Sequence, residues 1–91
     1  MSRLTNNIND LYIVDESNVK LETNGYSGDA IIKLAKFESF YDDLIAEQNQ
    51  ISKQLEELRL EGKTHSVKFK QLLANKMTNT NIFILLKKYE L

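Results

Sequence analysis

Ninety-one residues carrying 27% charged side chains, no cysteine, no proline and a net charge of −1 make one domain at most, with a small core and neither disulfides nor thiolate-bound metals to support it. The single histidine, His65, leaves carboxylates as the only other metal ligands, and no apolar run approaches the roughly 18 residues of a membrane span. Small domains without such supports gain stability by association, so a homo-oligomer is expected.

Residues 1–28 read as a small appendage. "MSRLTNNIND" has one arginine but no apolar run behind it, so it does not read as a secretory signal. A cysteine-free chain suits a reducing compartment, and the expected location is cytoplasmic. "LYIV" (11–14) and "VKLE" (19–22) are strand-like runs flanking turn-rich "DESN", which suggests a β-hairpin or extended segment. The other reading is a short helix with Leu4, Ile8, Leu11 and Tyr12 on one face. "NGYSG" (24–28), with two glycines, reads as a loop.

A long helix over 29–61 follows, with Ser27 or Asp29 as its cap. Ala30, Leu34, Phe37, Tyr41, Leu44, Ile51, Leu55 and Leu58 recur at alternating spacings of four and three, with Gln48 filling the remaining slot. That pattern is a heptad seam, and a polar residue in such a seam can set register. Ile31, Phe40 and Ile45 widen the apolar face in the first half, which predicts a thicker core there than in the second half. Gly62 ends the helix, because a left-handed residue closes a helix C-terminus and glycine adopts that conformation without strain.

A returning helical segment over 65–91 is expected, capped by Thr64 or Ser66. Phe69, Leu72, Leu73, Lys76 and Met77 have helical spacing, as do Ile82, Phe83, Leu85, Leu86 and Tyr89. "MTNTN" between the two groups predicts a break or kink at 78–81, with Asn79 or Thr80 as a new cap, since Thr and Asn prefer caps to helix interiors; the alternative is one helix running through weakly. The fold class is therefore mainly α, a long helix with an antiparallel returning segment and an N-terminal appendage, all in one domain.

Two further arguments favour a second copy. A helix over 29–61 would be about 50 Å long, whereas a compact globule of this size spans roughly 30 Å. The charge is also divided: residues 1–62 hold six Lys/Arg and twelve Asp/Glu, and residues 63–91 hold six Lys and one Glu. Those −6 and +5 parts are expected to lie alongside each other. The seam and its flanks (Leu34, Phe37, Phe40, Tyr41, Leu44, Ile45, Gln48, Ile51, Leu55 and Leu58) are the predicted oligomer interface, most simply that of a dimer, and could also receive a different protein.

Catalytic chemistry finds no support. Asp42-Asp43 and Glu56-Glu57 are adjacent on a helix, where neighbours point about 100° apart and cannot share a proton or metal. His65 has no second imidazole or thiol near it in sequence. "SNVK" (17–20) matches a serine–lysine spacing but lacks companion motifs, and three glycines cannot build a phosphate loop. No enzyme activity and no cofactor are expected. The alternative to a self-associating interaction protein is a nucleic-acid binder or regulator using Lys63, Lys68, Lys70, Lys76, Lys87 and Lys88. No arginine follows Arg59 to read guanine, and the chain is slightly acidic overall.

Overall fold

The structure is a computed structural model and describes residues 2–91. It is mainly α: a 32-residue helix, α1 (Asp29–Leu60), and a 22-residue helix, α2 (Val67–Lys88), follow short antiparallel strands. The chain divides into two compact units, with the boundary between Tyr41 and Asp42.

In the first unit, β1 (Thr5–Ile8) pairs with β2 (Leu11–Val14), and β3 (Lys20–Glu22) pairs with β4 (Gly25–Ser27), both antiparallel. "LYIV" is a strand as expected, but its partner is "TNNI", not "VKLE". The turn chemistry explains the choice. Asn9 and Asp10 take φ of 53° and 63°, the left-handed pair that a two-residue hairpin turn requires and that Asn and Asp tolerate. The helical reading of residues 4–12 is excluded by this pairing. "DESN" instead forms one 3-10 turn (Glu16–Asn18) capped by Asp15, whose Oδ1 accepts from the Ser17 amide at 2.9 Å. That hydrogen bond holds the Asp15 carboxyl below its ordinary 3.8.

"NGYSG" is not a simple loop, since Gly25–Ser27 is strand β4. Ser27 does not cap α1. Its hydroxyl donates to Glu22 Oε1 at 2.9 Å, and the helix opens with the Ile32 amide donating to the Gly28 carbonyl. Asp29 is the first helical residue, where its charge complements the amide-rich end. The Lys33 ammonium donates to the Ser2 carbonyl, tying the chain start to the first turns of the helix.

In the second unit, α1 ends as expected. Gly62 has φ of 69°, the Lys63 amide donates to the Leu58 carbonyl at 2.8 Å, and the Gly62 amide donates to the Arg59 carbonyl at 3.0 Å. These two bonds are the Schellman closure. A Cβ at position 62 would meet nothing within 4 Å, so Gly62→Ala carries only the left-handed strain. Its unfolding free energy should fall by about 1 kcal/mol, and an unchanged urea midpoint would contradict that assignment.

Ser66 is the cap of α2, its Oγ accepting from the Phe69 amide at 3.1 Å. The predicted break at 78–81 does not occur. The Thr78 and Thr80 hydroxyls donate back to the Ala74 and Lys76 carbonyls at 3.2 and 2.9 Å, and Asn79 is turned inward. Residues that could have capped a new helix thus bond within the existing one. The helix closes with Glu90 at φ 63° and the Leu91 amide donating to the Leu86 carbonyl at 3.1 Å.

Candidate functional site

The core of the second unit is small. Ile51, Leu55 and Phe69 are its buried members, with Leu58 and Leu72 packed against them, and Leu44 is buried one heptad earlier on α1. Arg59 lies over the Phe69 ring, 5.5 Å from its centroid, and lengthens this cluster with a cation–π contact. The seam on α1 therefore has the phase that its spacing predicts over residues 44–58.

The ten predicted interface residues do not form one uniform site. Leu44, Ile51 and Leu55 are buried, while Phe37, Tyr41, Gln48 and Leu58 are half-buried. Leu34, Phe40 and Ile45 are 54%, 46% and 39% exposed. Within one chain the thicker core expected around the first half of the helix is not formed. The fully buried positions of α1 fall at residues 44–55, where the chain itself supplies apolar partners, and the apolar flanks of the first half stay open.

α2 has a seam that its composition hides. Buried or half-buried Phe69, Leu72, Lys76, Asn79, Phe83 and Leu86 follow the three–four spacing, with half-buried Ile82 beside them. Two polar residues in the middle slots conceal the pattern. Leu73 and Met77, which look like core by composition, are 38% and 62% exposed.

Gln48 sits over the middle of that second seam. Its Nε2 donates to the Lys76 carbonyl and to Thr80 Oγ1, each at 3.1 Å. Gln48 Oε1 and Asn79 Nδ2 are buried and have no hydrogen-bond partner among the described residues.

The six lysines are distributed rather than gathered. Lys63 pairs with Glu61 at 3.0 Å, Lys76 is half-buried, and Lys68, Lys70, Lys87 and Lys88 are exposed. The ion pairs among the described residues are all between near neighbours in sequence: Lys20–Glu22, Glu56–Arg59 and Glu61–Lys63. Among the described residues no ion pair joins the acidic helix α1 to the lysines of α2.

Among the described residues no group of three or more His, Asp or Glu side chains could hold a metal ion, and no helix is long and apolar enough to cross a membrane. His65 lies exposed in the turn between the helices, and Asp42, Asp43, Glu56 and Glu57 are exposed along α1. An open recess of about 290 Å³ at the same turn is lined by Gln54, Glu57, Glu61, Lys63 and Lys68, among others. Comparison with known proteins found no matching family model, no similar curated protein and no similar solved structure.

Proposed function

We propose that the chain is a non-enzymatic helical interaction or scaffold protein. In this reading residues 42–91 pair α1 with α2 as an antiparallel helical hairpin, and a second copy covers the open apolar face of α1 to give a dimer. Support for the pairing comes from the contacts. Gln48 reaches Lys76 and Thr80, while residues further along α1, Leu55 and Leu58, pack with the earlier Phe69 and Leu72. Advancing on one helix means receding on the other.

The observation that carries self-association is the exposure of Ile31 and Leu34, at 37% and 54%. Ile31 and Leu34 lie one turn apart and share a helix side. Leaving such side chains wet forgoes about 25 cal/mol per Å² of apolar surface. Charge supports the same partner. Among the described residues the carboxylates of α1 and the lysines of α2 are mostly without ion pairs, so the −6 and +5 parts remain available to one another between copies, where they would orient more than stabilise. A cytoplasmic location belongs to this reading.

Light scattering at tens of micromolar should give twice the chain mass, and the melting temperature should rise with concentration because association is linked to folding. Ile31→Glu with Leu34→Glu should yield a monomer that keeps its helical circular dichroism, since both side chains are exposed. A monomeric mass with a concentration-independent melt would remove the scaffold reading. The second reading rests on exposed Lys68, Lys70, Lys87 and Lys88, none of which is ion-paired among the described residues. Salt-sensitive DNA binding in the same experiment would favour it.

A further inference from the structure

We propose that Gln48 and Asn79 form one hydrogen-bonded polar layer, and that this layer fixes the register in which α2 pairs with α1. The inference rests on the paired-helix part of the reading above and is independent of whether the protein is a dimer.

The amide of Gln48 is oriented by what lies in front of it. The Lys76 carbonyl accepts, and the Thr80 hydroxyl spends its proton on that same carbonyl at 2.9 Å, leaving its oxygen as an acceptor. Two acceptors require the nitrogen of Gln48 on that side, at 3.1 Å from each. Oε1 must therefore face the other way, where it is buried. Asn79 lies on the same turn of α2 as Lys76 and Thr80, is 7% exposed, and presents a buried donor, Nδ2. One side chain has an unused acceptor and the other an unused donor. The terminal torsion of Asn79 is broad and soft, and rotation about it joins the two. Joining them removes two desolvation costs at once, since a buried polar group left unpaired costs more than a bond between two such groups contributes.

The layer count agrees. Leu55 and Leu72 share the apolar core. Steps of four and three residues back along α1, and forward along α2, bring Ile51 level with Lys76 and then Gln48 level with Asn79. A slip of one heptad would set Gln48 against Leu72 or Leu86. It would still match apolar residues elsewhere, for example Ile51 with Phe69 or Phe83. The apolar positions alone therefore discriminate weakly between registers. The amide pair discriminates strongly, because both members lose their partner in every slipped arrangement.

The test reads register directly. The chain has no native cysteine, so nitroxides can be placed at Lys53→Cys and Ala74→Cys, both exposed. Dilution with unlabelled chain isolates the distance within one molecule. The parent sequence should give one narrow distribution. Gln48→Leu with Asn79→Leu should retain helicity and melt no lower, yet show a second population displaced by one heptad, about 10 Å along the axis. The exchanged pair, Gln48→Asn with Asn79→Gln, should restore a single distance. Gln48→Leu alone strands the Asn79 donor and should melt below the double variant. An unchanged single distance in the Leu/Leu chain, or no coupling between the two sites in the melts, overturns the proposal. A parent chain without a single short distance overturns it together with the helix pairing, whereas a monomeric mass leaves it intact.

Discussion

Leu55→Ala should lower the unfolding free energy by about 3 kcal/mol, within the 2–5 kcal/mol range for truncating a buried leucine. Leu55 is 0% exposed and sits among Ile51, Phe69, Leu58 and Leu72, so little beside it is free to collapse into the space. The whole chain can hold on the order of 5–13 kcal/mol at typical stability per residue. Loss of this one side chain therefore removes a large fraction of the total, and a markedly lower urea midpoint is expected. Urea denaturation followed by circular dichroism measures it. Leu60 is the control: it is 80% exposed on the same helix, and Leu60→Ala should stay within about 0.5 kcal/mol. Equal losses at the two positions would mean that the buried face of α1 is not the heptad seam.

Gly28→Ala should be the most disruptive small change in the first unit, at about 2–3 kcal/mol for left-handed strain combined with a backbone collision. Gly28 has φ of +117°, and a Cβ there would lie 2.5 Å from the Asn18 carbonyl oxygen and 2.9 Å from the Val19 Cα. These are main-chain atoms at the end of the 3-10 turn and just before β3, which cannot swing aside as a side-chain tip can. The segment would have to separate from the start of α1. Amide exchange should then accelerate in β3 and β4 while residues 67–88 keep their protection. Uniformly unchanged exchange would show that the close approach of residues 18 and 28 is not maintained in solution.

α1 was legible because it carries its own boundary and period, and the start of α2 because Ser66 marks it. Gly62 and Ser66 mark the ends on either side of the turn through local backbone hydrogen bonds, and the three–four spacing from Leu44 to Leu58 assigns the buried face of α1. These are short-range effects that the residues impose wherever the helix packs. The N-terminal strands were only half legible. "LYIV" has strand composition, but which run it pairs with depended on the two left-handed residues, Asn9 and Asp10, that closed one turn rather than another.

The site residues divide in the same way. Leu44, Ile51 and Leu55 could be identified from spacing alone, whereas the openness of Leu34 and Phe40 could not. Both groups look alike in sequence, and only the position of a partner segment separates them. Asn79 shows the same limit from the other side. As one residue of a polar run it predicted a break, because Asn alone prefers a cap. Asn79 is buried and two threonines bond back into their own helix, and α2 is continuous. The sequence by itself determined where α1 ends, where α2 begins and which side of α1 is apolar over residues 44–58, since those follow from local hydrogen bonding and period. Only the tertiary structure decided which apolar side is covered and which polar side chain is enclosed. Burial depends on what another segment, distant in the chain, brings to the same place.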